Sequence, residues 1–174
     1  MGDIYYFMHN YDLAIKEYRS TLDYFNKSGH QNENYNVYAA IATLYLTMNN
    51  YAKAEEYYTM ALKESPFETA KGGYYIAMCQ LYLNQKRMTE FNKYMDLLKQ
   101  WKKNNATSIN ITEREYRLYI SYYITLGEYD KAIEYANRLS PWAKYVSLSD
   151  IYLSKNDYKN GYEYYKLFNE LDKT

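Results

Sequence analysis

Apolar residues recur along most of the chain at spacings of three and four positions, which is the period of an α-helix. The clearest example is residues 35–66, where two such runs flank a polar turn at Asn49 and Asn50. Each run combines bulky aromatic residues with small residues on one face, in the series Tyr38-Ile41-Ala42-Tyr45 and Tyr51-Ala54-Tyr58-Ala61. This pattern predicts two antiparallel helices joined by a tight turn.

The alternation of large and small side chains in this stretch predicts how its two helices pack. Two helices approach closely only where small side chains face each other. We therefore expect Ala42 and Ala54 at the crossing point, with Tyr45, Tyr51 and Tyr58 filling the space around it. The spacing is explained by packing, without a catalytic role for these tyrosines.

The same order of large and small residues returns in other parts of the chain. Two further copies have turns near Gly127 and Asn156, and a less regular copy has Phe91 where the pattern has a small residue. At the N-terminus only the second half of a copy is complete, with Tyr5 left from a shortened first helix. The predicted units are residues 1–30, 35–66, 67–103, 112–140 and 141–174.

The repeated unit resembles the tetratricopeptide repeat, a helix-turn-helix of about 34 residues. The resemblance implies an all-α fold, an α-α superhelix in which about four to five helix pairs stack into a solenoid. The 6 glycines and 2 prolines are too few for a barrel or sandwich with many tight turns. Because the helical pattern is present at the first residues and continues to the last, we expect residues 1–174 to be a single domain taken from a longer protein.

Local signals predict where two of the helices begin. Ser65 and Pro66, followed by Glu68, have the order of an N-cap, a first-turn proline and a carboxylate three residues after the cap. Ser140 and Pro141 repeat the cap and the proline. We expect helices to begin at these two prolines.

The charge of the chain argues against an electrostatically recruited partner. Its 21 Lys and Arg residues balance 21 Asp and Glu residues, so we expect neither nucleic-acid binding nor attraction to an anionic membrane. No run of about 18 apolar residues is present, so no segment is predicted to span a membrane. The acidic residues Glu55, Glu56, Glu113 and Glu115 are predicted on solvated helix faces. The single cysteine excludes an internal disulfide and leaves the compartment open.

Residues that could support catalysis or bind a metal are few. His9 lies in a predicted turn and His30 in a polar loop, and neither has a Cys, Asp or His partner at metal-ligand spacing. Cys79 occupies a small-residue position of a helix, which predicts a buried, unreactive thiol. Gly72 and Gly73 precede a predicted helix without the strand or the spacing of a phosphate-binding loop. We therefore predict a non-enzyme with no catalytic residue, metal or cofactor.

The family resemblance implies a binding surface. In tetratricopeptide repeats the first helix of each unit lines a concave groove, which holds an extended peptide or a partner helix. Transferred through the repeat motif, the groove residues of this chain are Asn36, Ala39, Thr43, Thr47, Ile76, Gln80, Leu83, Asn84, Arg114, Arg117, Ser121, Val146 and Asp150. Chaperone-binding members hold a terminal carboxylate with basic residues from three consecutive units, whereas the two basic groove residues here lie in one unit. We therefore expect a protein or peptide ligand of another class. The two arginines are expected either to be solvated or to meet an acidic group, which guanidinium groups suit.

The last predicted helix carries two apolar stripes. The stripe expected to face the preceding helices contains Tyr158, Tyr162, Tyr165 and Phe168. The stripe expected to face elsewhere contains Tyr164, Leu167 and Leu171. Since a terminal repeat normally has a polar outer face, we expect the second stripe to contact either further helix or a second copy of the chain in a homodimer.

The tyrosine-rich, irregular units resemble the tetratricopeptide sensor regions of bacterial membrane-bound regulators, in which the repeats precede a histidine kinase or DNA-binding output domain. This resemblance predicts a non-catalytic, protein- or peptide-binding domain that serves as the input or scaffold region of a larger signalling regulator. The alternative is a stand-alone soluble adaptor that mediates the assembly of a protein complex. The compartment is periplasmic for a membrane-bound sensor and cytoplasmic otherwise.

Overall fold

A computed structural model describes Gly2, residues 8–105 and residues 112–171 of the chain. The described residues form α-helices, one short 3₁₀ helix and no strand. The 3₁₀ helix is Gln31–Glu33, and the α-helices are α1 (Tyr11–Ser28), α2 (Asn34–Thr47), α3 (Tyr51–Glu64), α4 (Glu68–Asn84), α5 (Met88–Asn104), α6 (Thr112–Leu126), α7 (Tyr129–Ala136), α8 (Pro141–Ser154) and α9 (Tyr158–Leu171). The predicted all-α helical-repeat fold is confirmed. Tyr5, in the predicted first half-unit, lies outside the described residues.

The helices group into two compact units, residues 1–108 and residues 109–174. In the first unit α2 packs most extensively against α3, and α4 packs against α5. In the second unit α6 packs against α7, and α8 packs against α9. Within each unit the first helices of neighbouring pairs also contact each other, α2 with α4 and α6 with α8. That all 174 residues form a single domain stays a prediction.

The turns inside these four helix pairs share one backbone design. One residue of each turn is in the left-handed region, with φ of 57° at Asn49, 58° at Lys86, 72° at Gly127 and 62° at Asn156. The amide of the next residue donates to the carbonyl of a tyrosine five positions earlier, at 2.8–2.9 Å. This hydrogen bond ends the first helix and satisfies one of its last carbonyl groups. The turns predicted from the sequence are confirmed.

The predicted close approach of the paired helices is also confirmed. Ala42 and Ala54, on facing sides of α2 and α3, are completely buried. At the corresponding position of α9, a Cβ atom built on Gly161 would lie 2.9 Å from the side chain of Leu153, so a larger residue there would force a rearrangement. The α4–α5 pair instead accommodates Phe91, which is buried as well.

In each pair, one tyrosine of the second helix lies between two tyrosines of the first helix, an arrangement we call the tyrosine trio. Its ring centroid lies 5.4–6.3 Å from those of its two partners, and the four central residues are Tyr57, Tyr94, Tyr135 and Tyr164. In the α6–α7 pair the central Tyr135 also stacks on a third tyrosine, Tyr119, with centroids 4.8 Å apart. The predicted packing residue Tyr58 is buried, and its hydroxyl oxygen lies 3.0 Å from that of Thr43. Tyr51 does not fill the crossing as predicted, because its hydroxyl group reaches back and donates to Asn49 in the turn. Stacked or tilted aromatic pairs therefore hold the helix pairs together beside the small-residue crossings.

The predicted start of a helix at Pro66 is wrong by two residues. Phe67 has an extended backbone (φ −100°, ψ 111°), and α4 begins at the next residue. The hydroxyl group of Ser65 donates to the carbonyl of Phe67 at 3.3 Å, so it does not cap the helix. Gly72 and its neighbouring glycine consequently lie inside α4 rather than before it. The predicted start of α8 at Pro141 is confirmed.

Candidate ligand-binding surface

The first helices of each compact unit present a set of accessible side chains, which we call the first-helix surface of that unit. In the first unit it is formed by α2 and α4, which contact each other. We count in it only the predicted groove residues that are accessible; in this unit all of them are uncharged, and they are Asn36, Ala39, Thr43, Thr47, Gln80 and Asn84. This part of the predicted groove is therefore accessible and neutral.

Two residues predicted in the same lining are not accessible. Ile76 and Leu83 of α4 are only 5% and 4% exposed. Helix α4 contacts α2, α3 and α5, and these three neighbours cover more of its circumference than the repeat motif alone indicates. We therefore correct the predicted lining by assigning Ile76 and Leu83 to the core.

The polar groups of this surface are partly engaged with one another. The hydroxyl groups of Thr43 and Thr47 donate to the carbonyls four residues earlier, at 2.9 and 3.0 Å. The side-chain amide of Gln80 donates to the amide oxygen of Asn84 at 2.7 Å. This bond uses one donor and one acceptor, which leaves the Gln80 oxygen and the Asn84 amino group able to bond a peptide backbone.

The first-helix surface of the second unit, formed by α6 and α8, is charged. Arg114 and Arg117 are exposed on α6, and Asp150 is exposed on α8. Ser121 on α6 and Val146 on α8 are half-buried. The Ser121 hydroxyl donates to the carbonyl of Arg117 at 3.1 Å. The predicted groove residues of this unit are all at least partly accessible.

Trp142 is an additional residue of this surface that sequence reasoning missed. The guanidinium carbon of Arg117 lies 5.9 Å from the centre of the Trp142 ring system, within the range of a cation–π contact. Trp142 is 47% exposed, and its other contact is edge-on to Phe168 of α9, with ring centroids 5.3 Å apart. Its position directly after Pro141, in the first turn of a first helix, was the available sequence signal.

Asp150 adds a negative charge to the same surface. Partial desolvation raises the pKa of the Asp150 carboxyl group, and the positive charge of Arg117 opposes that rise. The surface therefore offers a cation, an anion and an accessible aromatic ring, all held by α6 and α8. Such a combination can bind a peptide that carries both charged and apolar side chains.

Three acidic residues predicted on solvated faces have structural partners. Glu55 accepts hydrogen bonds from the Tyr82 hydroxyl and from Arg87, each at 2.9 Å. Glu113 accepts from the backbone amide of Ser140 at 3.0 Å, and this bond lowers the pKa of its carboxyl group. Glu115 is buried. The prediction is corrected for Glu55 and Glu115, which are half-buried and buried, whereas Glu113 and Glu56 are exposed as predicted.

The candidate catalytic groups are placed where they cannot act together. Nδ1 of His9 lies 2.9 Å from the Tyr11 hydroxyl, and Nδ1 of His30 lies 3.0 Å from the Ser28 hydroxyl. Cys79 is completely buried, and burial raises the pKa of its thiol to about 12, so the thiol stays protonated near neutral pH. Within residues 8–105 and 112–171, no group of three His, Cys, Asp or Glu side chains is arranged to hold a metal ion.

The predicted stripes of α9 are wrong for the four tyrosines, whereas Phe168 packs on Trp142 of the preceding helix and Leu167 and Leu171 are exposed, as predicted. Tyr164 is the central ring of a tyrosine trio, stacked on Tyr152 with centroids 5.4 Å apart, so it faces the preceding helix. Tyr158, Tyr162 and Tyr165 are 65%, 60% and 51% exposed instead. At 100° per residue these tyrosines lie along one edge of the exposed side of α9. Leu167 and Leu171, which are 40% and 39% exposed, lie along the other edge.

In the described part of the chain, none of the helices has the length and apolar character needed to cross a membrane.

Comparisons with known proteins agree with this architecture. Family models described as tetratricopeptide repeat match residues 1–63 and residues 145–174. The crystal structure of a tetratricopeptide repeat protein from Parabacteroides merdae ATCC 43184 resembles the chain with a TM-score of 0.65 and 21% sequence identity. The similarity covers 97% of this chain and 62% of that protein, so the chain spans under two thirds of its length. No curated protein sequence matches the chain. The chain therefore contains tetratricopeptide repeats, a class of helical repeat that generally mediates protein interactions.

Proposed function

We propose that this protein binds a protein or peptide ligand through its first-helix surfaces. The observation that carries the proposal is the cluster of Arg117, Trp142 and Asp150 on α6 and α8. An exposed tryptophan flanked by charged groups is unusual on a surface without a partner, since aromatic and arginine side chains dominate the energetics of interfaces. Tetratricopeptide repeats are typically non-catalytic, which agrees with a binding role.

The chemistry of the second unit defines the peptide we expect. Arg117 can form paired hydrogen bonds with a carboxylate, and Trp142 offers a flat apolar face beside it. Asp150 would repel a second acidic side chain and attract a basic one. The preferred peptide therefore carries an acidic residue near an aromatic or aliphatic residue, with a basic residue on the side of Asp150.

The experiment is a selection of peptides from a displayed random library against the folded protein. We expect selected peptides to combine acidic and apolar residues and to lose about tenfold or more in affinity for a variant with both Arg117→Ala and Trp142→Ala. The matched control is Lys155→Ala, which removes an exposed charge elsewhere in the same unit. Selected peptides that bind the double variant as tightly as the unchanged protein would contradict the proposal.

We further propose that the domain is the input or scaffold region of a larger bacterial signalling regulator. The support is the resemblance of its tyrosine-rich, irregular repeats to sensor regions of that kind. In a membrane-bound regulator the domain would be periplasmic. The alternative is a stand-alone cytoplasmic adaptor, and the size of the native protein in fractionated source cells decides between them.

A second proposed interaction is a homodimer in which α9 pairs with α9 of a second copy. The side of α9 opposite Tyr164 carries Lys159, Glu163, Lys166 and Glu170 in one row of alternating sign, with the exposed tyrosines along one edge of the row and Leu167 and Leu171 along the other. Glu163 and Lys166 pair within the helix at 2.8 Å, and a second copy could exchange these partners. In an antiparallel pair about a two-fold axis, Lys159 would face Glu170 of the other copy, and Glu163 would face Lys166. This self-complementary order favours a second copy over an unrelated helix.

Sedimentation of the purified protein tests the dimer. We expect twice the chain mass of 21.0 kDa and a monomer after Leu167→Glu with Leu171→Glu. Leu126→Glu, at an exposed leucine outside α9, is the control. Lys159→Glu should weaken the dimer, and adding Glu170→Lys to that variant should restore it. If the unchanged protein is a monomer at high concentration, the pairing is refuted.

A further inference from the structure

A shallow cavity of about 340 Å³, open to solvent along most of its boundary, lies where α3, α4 and α5 meet in the first compact unit. Each of the three helices contributes one lysine to its wall, and the apolar part of the wall includes two tyrosine rings and a leucine; these residues are Lys63, Lys71, Lys93, Tyr75, Tyr94 and Leu97. Lys71 and Tyr75 lie on α4, but none of the cavity residues belongs to the predicted groove. It is therefore a site separate from the proposed peptide-binding surface.

The cavity carries an excess of positive charge. Lys71 is paired with Glu68, with 2.6 Å between ammonium nitrogen and carboxylate oxygen. Lys63 and Lys93 are exposed, and neither forms an ion pair with any residue that the structure describes. After the pairing with Glu68 is counted, the opening keeps an excess of positive charge. Lys93 also acts on Glu90, whose carboxyl pKa is lowered mainly by its hydrogen bond to Arg87 and additionally by the charge of Lys93. Lysines brought together from three helices repel each other, and a bound anion relieves that repulsion.

The remaining wall of the cavity suits an apolar group. The rings of Tyr75 and Tyr94 lie with their centroids 6.3 Å apart, and the ammonium group of Lys93 lies 5.9 Å from the centre of the Tyr94 ring. Burial raises the pKa of the Tyr94 hydroxyl group, so this group stays protonated and able to donate a hydrogen bond. A ligand that only carried charge would leave this aromatic wall unused.

We propose that this cavity binds a small organic anion, a compound with an aromatic or aliphatic body and a carboxylate or phosphate group. The anionic group would lie among Lys63, Lys71 and Lys93, and the body would lie against Tyr75 and Tyr94. The volume is at the lower end of the range for small-molecule sites. Ammonium groups bind phosphate and carboxylate as point charges, without the fixed geometry that arginine imposes, so both anions fit the same proposal.

Phenyl phosphate is the probe, because it combines an aromatic ring with a doubly charged group. Titration of the full chain, followed by calorimetry and by backbone amide NMR shifts, should give saturable binding with shifts in α3, α4 and α5. Inorganic phosphate has only the charged group and phenol has only the aromatic ring, so each should bind about tenfold or more weakly than phenyl phosphate. Benzoate in place of phenyl phosphate tells whether carboxylate serves as well as phosphate.

The decisive variant combines Lys63→Gln and Lys93→Gln, and it should weaken phenyl phosphate binding about tenfold or more. The control combines Lys27→Gln and Lys155→Gln, which removes the same charge from exposed sites outside the cavity and should leave binding within about twofold. All four lysines are exposed, so thermal unfolding of both variants should match the unchanged protein. Absence of binding at millimolar probe, equal weakening in both variants, or shifts confined to other helices would each overturn the proposal.

Discussion

The first-helix surfaces of the two compact units differ in chemistry although the helix pairs beneath them are built alike. In the first unit the accessible residues are amides, hydroxyls and an alanine, as in Thr43 and Gln80. In the second unit they include Arg117, Asp150 and Trp142. Both surfaces rest on pairs with the same left-handed turn and the same tyrosine trio. The comparison teaches that the residues that hold a pair together and the residues that meet a ligand occupy different positions of the helix.

The largest expected effect is a loss of stability when the packing inside the α4–α5 pair is changed. Phe91→Ala would leave an unfilled space at a fully packed crossing and should lower the free energy of unfolding by about 3–5 kcal/mol. Chemical denaturation measures this loss. Phe91→Leu, which keeps most of the volume, should lose far less, and equal losses for the two variants would mean that the ring does not fill the crossing.

A smaller effect is expected from the opposite change at the equivalent position of the α2–α3 pair. Ala54→Phe would overpack a crossing in which Ala42 and Ala54 are completely buried, at a loss of about 1–3 kcal/mol. Ala52→Phe, two residues earlier on the exposed side of α3, is the matched control. If both variants melt at the temperature of the unchanged protein, the position of Ala54 in the repeat has been assigned wrongly.

The smallest expected effect is on peptide affinity, and it compares the charged surface of the second unit with the neutral surface of the first. Binding of an acidic peptide selected on this protein should weaken as salt is added, because Arg117 contributes through charge. Arg117→Gln should flatten that salt dependence and cost about 1 kcal/mol of affinity. Thr43→Val in the first unit should change neither quantity, and an unaltered salt dependence in the Arg117 variant would remove this residue from the site.

The local features of the fold were predictable because they depend on neighbours in sequence. Helical spacing, the turn at Asn49 and the small residues Ala42 and Ala54 are all read within about fifteen positions. Rotation of a helix about its axis is a different matter, since a shift of one residue turns a side chain by about 100°. That is why Tyr164 was expected to face outward, although it stacks inside a tyrosine trio.

The parts of the surface that could not be predicted depend on helices that are distant in sequence. Ile76 is buried because α4 has three neighbours, which no pattern within α4 reveals. The contact between Arg117 and Trp142 joins two helix pairs. The lysine cavity likewise combines one lysine from each of three helices. These lysines are far apart in sequence, and only the folded structure shows that they lie close together.

The most direct test of the central claim uses the indole NH groups of the two tryptophans as reporters in an NMR titration with a selected peptide. The indole NH of Trp101 is held in a 2.7 Å hydrogen bond to the carbonyl of Glu68, whereas Trp142 lies on the first-helix surface of the second unit. Ligand binding at that surface predicts a saturable shift of the Trp142 signal with little change at Trp101. A peptide that saturates the protein while the Trp142 signal stays fixed would contradict the claim.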